Sequence, residues 1–171
     1  MGHRVRAIPG RVRAGFLLLA VALLAGGCPV ADPRTESWLV NRSEGPIEVR
    51  LELEAGRYGV ASPETAVGYA PGWLREFERG EGVELLEIDS AGLAGTYRIA
   101  AGGFMFAHAS LGRAPYIRFS RLTITRGDRA LAYTGIDAIT RLFQPVAGSG
   151  YLHEFPVTDT MLAAAPRTPA R

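Results

Sequence analysis

Between residues 47 and 54 the chain reads Ile-Glu-Val-Arg-Leu-Glu-Leu-Glu. Apolar side chains at 47, 49, 51 and 53 alternate strictly with charges at 48, 50, 52 and 54. Successive side chains of an extended strand point to opposite faces, whereas a helix would scatter this pattern around its circumference. The segment therefore has to be a strand with one dry face and one wet face. Strands of that kind belong to antiparallel sheets with a solvated side.

The rest of the chain follows the same grammar. Ser37–Asn41 is a short apolar run, and Asn41–Pro46 carries turn residues. Residues 55–72 are rich in Gly, Pro and small side chains, with a short strand expected at 66–70, and Trp73, Leu74 and Phe77 share one face of a one- or two-turn helix. Val83, Leu85 and Ile88 resume a strand whose phase slips at Leu86, the mark of a bulge. Tyr97, Ile99 and Ala101 begin another strand, which Gly102-Gly103 should break before Phe104–Phe106 continues. Ile117 and Phe119 alternate out of phase with Leu122 and Ile124, which places a second bulge near Ser120-Arg121. Gly127-Asp128 is a two-residue turn that would set Ile124 opposite Leu131 and Leu122 opposite Tyr133. Ile136, Ile139, Leu142 and Phe143 fit two turns of helix, with an edge strand as the alternative, and Tyr151–Val157 reads as a last strand. Short strands with turns every 8–12 residues and no alternating βα units predict an all-β domain over 38–157. Its expected form is a small antiparallel β-sandwich or open barrel with one or two short helices. Residues 158–171, mostly Ala, Pro, Thr and Arg, are expected to be disordered.

The composition removes several chemistries. All 19 basic residues are arginine, so Schiff-base lysines and phosphate-loop lysines are excluded. One cysteine, Cys28, allows neither an intrachain disulfide nor a thiolate metal cluster. No glycine loop matches G-x-G-x-x-G, and no cofactor is implied.

That cysteine closes a distinctive beginning. Arg4, Arg6, Arg11 and Arg13 precede an apolar run from Phe16 to Ala25, followed by Gly26-Gly27-Cys28. A positive start, a greasy core of about ten residues and small residues at a boundary form a secretory signal peptide, and the core is too short for the ~20 residues of a membrane span. Leu24-Ala25-Gly26-Gly27-Cys28 resembles the lipobox of bacterial lipoproteins, except that Ala25 holds the place of the usual larger aliphatic residue and Leu24 sits one further back. The resemblance implies cleavage before Cys28, a diacylglyceryl group on its sulfur and a further acyl chain on its new amino group. Two or more chains anchor a protein stably where one does not. In proteobacterial lipoproteins an aspartate after the cysteine retains the protein at the inner membrane. Here Pro29 follows, so the resemblance favours the outer membrane of a cell that has one. Residues 28–37 would form the lipidated cysteine and a short tether whose nine residues beyond Cys28 reach at most ~30 Å. Loss of residues 1–27 removes four arginines, leaving 15 against 17 acids, a net charge of −2. That weak field makes nucleic acid a poor partner. The implied partners are the membrane, through the anchor, and another envelope protein or a polysaccharide.

Candidate chemistry in the remaining domain is sparse. Only His108 and His153 remain as imidazoles, too far apart in sequence for a zinc spacing. His108-Ala109-Ser110-Leu111-Gly112 is similar to the nucleophile elbow G-x-S-x-G with its first glycine replaced, and Pro115 disfavours the helix that should follow. Glu48, Glu52 and Glu54 share a strand face and Glu76, Glu78 and Glu81 cluster near a turn. Paired carboxylates can hydrolyse glycosides, although alternating charges are usually a solvated face. Arg126-Gly127-Asp128 spells an adhesion tripeptide at the hairpin tip, where glycine-aspartate also simply suits a tight turn. Tyr69 and Trp73 are candidate ligand-binding aromatics on an irregular segment. The expected function is a non-enzymatic, lipid-anchored envelope protein that binds another protein or a polymer. Two alternatives stand beside it: a hydrolase of envelope polymers using carboxylates or Ser110, and a purely structural lipoprotein.

Overall fold

A computed structural model describes residues 34–53, 72, 74–89, 93–111 and 115–167. Cys28, Tyr69, Trp73, Glu54 and the strand expected at 66–70 lie outside these residues. The strands are β1 (Arg34–Asn41), β2 (Ile47–Leu53), β3 (Gly80–Ile88), β4 (Ala94–Leu111), β5 (Phe119–Arg126), β6 (Arg129–Thr134), β7 (Gln144–Pro145) and β8 (Leu152–Val157). Two short helices, α1 (Ile136–Thr140) and α2 (Asp159–Ala164), join a helical turn at 74–76. All strands belong to one sheet, ordered β6-β5-β2-β4-β1-β8-β7, with β3 on β4. The sheet is open and curled into a half-barrel, the open-barrel form of the expected all-β class.

The alternating segment behaves as its pattern demands. In β2, Ile47, Val49, Leu51 and Leu53 are buried, while Glu48 is exposed and Arg50 and Glu52 are half-buried. The wet face carries Arg98–Glu48, Arg98–Glu84 and Arg121–Glu52 ion pairs at 3.2–3.4 Å. Exposed pairs of this kind contribute little stability each, so the glutamates of this face are a solvated surface held in register by arginine. The dry face joins Leu39, Tyr97, Ile99, Met105, Phe119, Leu122, Ile124, Phe155 and Val157 in a single core. The 74–77 segment covers it. Tyr97 donates a 2.6 Å hydrogen bond from its hydroxyl to the Leu74 carbonyl, and Phe77 packs edge-on against Tyr97 and Phe119.

One strand organises the sheet. β4 is 18 residues long and pairs first with β2, through Ala94–Ile99, and then with β1, through Phe104–Leu111. Between those stretches, residues 100–103 have no partner in β1 or β2, and β1 and β2 are themselves interrupted by the 42–46 loop. The gap is filled by Asn41, which is fully buried. Its Nδ2 donates to the carbonyls of Gly45 (2.9 Å), Ile99 (3.1 Å) and Ala100 (2.9 Å). Its Oδ1 accepts from the backbone N–H (3.0 Å) and hydroxyl (2.7 Å) of Ser43. One amide thus replaces the ladder hydrogen bonds lost at the corner, where buried carbonyls would otherwise go unpaired.

Beyond the corner the sheet divides. On one side β2 pairs with β5 and β5 with β6; on the other, β1 pairs in parallel with β8. The C-terminal segment connects the two arms. Thr158 caps α2 by accepting from the Met161 N–H, and Leu162 and Ala165 are buried. Asp159 forms an ion pair with Arg126 of β5 and accepts from the Glu44 N–H at 3.1 Å. Arg129 donates to the Ala165 carbonyl at 2.6 Å, and Ala130 N–H donates to the Pro166 carbonyl at 3.2 Å.

Several expectations need correction. Residues 158–171 were expected to be disordered, yet 159–164 are helical because a threonine cap and two buried apolar side chains outweigh the polar composition. Arg34–Ser37, expected to belong to a tether, are already strand. Gly102-Gly103 does not break β4: a Cβ at Gly103 would lie 2.5 Å from the Glu81 carbonyl oxygen, so glycine permits a close strand approach there. The sheet also contains one parallel pair, β1 with β8. The bulges at Leu86 and Ser120 and the 124/131 and 122/133 pairing are present as expected, and 136–140 is helix. No helix among the described residues is long and apolar enough to cross a membrane.

Two outcomes follow from the corner and the C-terminal clasp. Asn41→Ala should lower stability by about 3 kcal/mol in urea denaturation, and Asn41→Asp by more, since a carboxylate would face the Ile99 and Ala100 carbonyls without a proton to donate. Ser43→Ala should cost about 1 kcal/mol, because Asn41 Oδ1 keeps the backbone donor. At Asp159, the hydrogen bond from Arg126 and, behind it, the Glu44 amide hold the carboxyl below its usual value of 3.8. A depressed carboxyl contributes stability that is present above 3.8 and lost as pH falls through the lower folded value. Wild type and Asp159→Asn should therefore differ in midpoint at neutral pH and converge in strong acid.

Candidate functional site

On three neighbouring strands the inner face changes from apolar to polar at one level. In β1 the buried side chains run Thr35, Ser37, Leu39, Asn41, so the alternation that begins apolar at Leu39 turns polar towards the start of the strand. In β8 the same face runs His153, Phe155, Val157. In β4 it runs Met105, Ala107, His108, and Ser110 follows opposite Thr35. Register aligns these changes: Ser37 pairs with His108 on one side and with His153 on the other.

A bulge makes the alignment work. Trp38 pairs with Phe106 but Ser37 pairs with His108, so Ala107 is an extra residue in β4. Without it, strict alternation from Met105 and Ala107 would turn His108 outward. Trp38 instead stacks on Phe104 at 4.4 Å and 6°.

Exposed aromatics rim this end. Tyr116 is 40% exposed and its ring lies edge-on to His108, with centroids 5.8 Å apart. Tyr151 is 41% exposed and its carbonyl accepts the Glu36 N–H at 2.8 Å, which places it beside the first residues of β1. Both belong to the few large apolar side chains exposed among the described residues, Leu86 of β3 being another. Ser37 is 1% exposed and His153 8% exposed. Ser37 Oγ and His153 Nδ1 are buried and have no hydrogen-bond partner among the described residues. Leaving each unsatisfied costs about 1–3 kcal/mol, a penalty that a bound polar group would relieve.

Burial, and secondarily the Arg118 guanidinium, lower the pKa of His108 to about 4, so at neutral pH it is an uncharged imidazole with one donor and one acceptor nitrogen. Arg118, His108, Glu76 and Phe77 help to line a small cavity of about 10 Å³, roughly the room of one water.

The other sequence candidates do not converge here. His153 Nδ1 has no hydrogen-bond partner among the described residues, and Ser110 pairs with Thr35 in the strand register. Glu48 and Glu52 lie on the opposite, wet face in arginine pairs, and Glu78 and Glu81 are exposed. Of these acids only Glu76 reaches the cavity beside His108. In the 126–128 tripeptide, Arg126 is engaged with Asp159 and Asp128 with Arg167 at 3.2 Å, while Gly127 takes the left-handed conformation (φ 59°) that the turn requires. The tripeptide is thus part of the C-terminal clasp. Among the described residues no group of three or more His, Cys, Asp or Glu is placed to hold a metal ion. Sequence reasoning missed Ser37, Tyr116 and Tyr151 and gave His153 no partner. The available signal was the alternation itself, since extending it back from Leu39 and from Phe155 puts Ser37 and His153 on the core face.

No protein family, curated protein or solved structure matches the chain.

The state of His108 is directly measurable. Because its folded pKa lies below the usual 6.5, the unfolded chain binds more protons between 6.5 and about 4, and stability falls as pH drops through that window. The urea midpoint of His108→Gln should be flatter than wild type over this range, and the His108 ring protons should titrate near pH 4 by NMR.

Proposed function

We propose that this chain is a lipid-anchored protein of the bacterial cell envelope whose half-barrel is a non-enzymatic binding module for another envelope protein or a polymer. The observation that carries the binding reading is the buried, unpartnered Ser37 Oγ and His153 Nδ1 on paired strands, at the end of the sheet where Tyr116 and Tyr151 are exposed. Ligand sites combine apolar or aromatic contact area with a few placed polar groups, and this end of the sheet has that composition. The anchoring reading is supported by the arginine-rich start, the short apolar core and Leu24–Cys28. In this reading Cys28 carries the lipid, and cleavage before it leaves a sulfur with no competing disulfide partner in the chain.

Anchor and site are close along the chain. The tether enters β1 at Arg34, and β1 presents Ser37 three residues later. An arm of at most ~20 Å keeps the module near its membrane, where a polymer or neighbouring protein is at high local concentration. The mild net charge of −2 after cleavage suits a partner recognised by shape and hydrogen bonds.

Cys28→Ser should move the protein from the membrane pellet to the soluble or secreted fraction, and metabolic labelling with a fatty acid should mark wild type only. Persistence of the variant in the pellet would sink the anchoring reading. Crosslinking in intact envelopes through a photoreactive residue at position 151 should capture a partner that the same probe at position 86 does not.

A further inference from the structure

We propose that the free edge of β3 receives an extended, arginine- or lysine-bearing segment of another protein as a further strand of the sheet, its basic side chains set against Glu81, Glu84 and Glu87. This edge shares no residue with the Tyr116–Tyr151 end, and the partner it takes is distinct from the one expected there.

The last strand of an open sheet presents unpaired backbone N–H and C=O groups. Among the described residues the sheet has three such edges, at β6, β7 and β3. The C-terminal segment covers β6, through the bond from the Ala130 N–H to the Pro166 carbonyl and the Arg129–Arg167 bridge. β7 is two residues long, and one of them, Pro145, has no N–H to offer. β3 runs for nine residues and, among the described residues, pairs with β4 alone. Alternate residues of an antiparallel strand direct their backbone groups away from the partner, so the outer side of β3 is an open template. Gly80, Glu81, Gly82, Glu84, Leu86 and Glu87 are all exposed.

Charge selects the occupant. Residues paired across a ladder share a face. Glu81 pairs with Phe104, Glu84 with Arg98 and Glu87 with Thr96, which all lie on the outer face of β4. Strict alternation would put Glu84 on the other face from Glu81 and Glu87. Register shifts on either side of Val83–Leu85 bring the three into one exposed row instead. Across the sheet the sign alternates from Glu48 to Arg98 to Glu84, at 3.3 and 3.4 Å, and the series stops on an acid whose side chain is 65% exposed. A cation on the next strand would continue it. Beside Glu81, a hollow of about 240 Å³ lined by Gly82 and Ala100–Gly103 leaves room for a long basic side chain. Val83, Leu85 and Ile88, half-buried against the core, favour apolar residues between the basic ones. A second copy of this chain does not fit, because pairing two β3 edges would set glutamate rows side by side. An anionic polymer is repelled for the same reason.

The test titrates the full-length chain in detergent with a labelled, end-blocked octapeptide that alternates arginine and valine. Fluorescence anisotropy reads binding, and ¹H–¹⁵N NMR reads amide exchange. The peptide should bind and protect outward-facing β3 amides, which charge attraction alone would not do. A peptide of the same composition, with its arginines and valines in two blocks, should bind about tenfold more weakly. Glu81→Gln/Glu87→Gln, at exposed positions that leave the core intact, should weaken the alternating peptide about fivefold. Glu44→Gln/Asp137→Asn removes the same charge from exposed positions elsewhere and should change nothing. No binding of the alternating peptide would overturn the proposal, since the glutamates would then only guard the edge. Equal binding of the block peptide without β3 protection, or binding indifferent to Glu81→Gln/Glu87→Gln, would overturn it too. Concentration-dependent protection of the same amides without peptide would show a second copy as the occupant and would likewise overturn it.

Discussion

The half-barrel depends on one side-chain amide. A sheet curled this tightly has to turn a corner, and at the corner β4 exchanges one partner for another. Strand exchange leaves backbone carbonyls with no ladder donor, and in a dry interior each such group is expensive. Asn41 supplies the missing donors from Nδ2 and at the same time ties its own loop through Oδ1. No other residue type does both jobs at that size: a carboxylate lacks the donor, and a hydroxyl lacks the reach to three carbonyls.

Much of the remaining architecture follows from that corner. Because β1 and β2 leave it on different neighbours, the sheet divides, with β5 and β6 on one arm and β8 on the other. Each arm presents an apolar inner face, and the space between them is filled by 74–77 and the helices around Ile139 and Leu162. The Arg126–Asp159–Glu44 contact then joins the corner loop, β5 and α2 at one point. The polar end with Ser37, His108 and His153 lies on the β1 arm, where β4 has already passed the corner. Its shape is thus set from the corner outward, and the Ala107 bulge finishes it.

What the sequence made legible was local. Strict alternation located β2 and its wet face, Gly127-Asp128 fixed the hairpin register, and phase slips located the bulges at Leu86 and Ser120. These features are readable because a two-residue period and turn chemistry act between near neighbours. The misreadings share the opposite cause. Two of the three acceptors of Asn41 lie 58 and 59 residues away, so its polar side chain could be read only as turn chemistry. Gly102-Gly103 looked like a break because the close approach of Glu81 that explains it comes from another strand. The 158–171 segment looked disordered by composition, although Thr158 caps α2 and Leu162 fills a place in the core. The candidate site was hidden for the same reason: Ser37, His108 and His153 meet only through the register of three strands, and one bulge decides which way His108 points.

If the corner is held by the Asn41 amide, the two protons on its Nδ2 should be as protected from exchange as the strand amides around them. Proton–deuterium exchange of that side-chain NH₂ group, followed by ¹H–¹⁵N NMR on the full chain, tests this most directly. The account predicts a pair of well-separated resonances exchanging as slowly as the β4 backbone amides at Ile99 and Met105. Exchange at the rate of an exposed asparagine would contradict it, and would mean that some other interaction holds β4 at its change of partners.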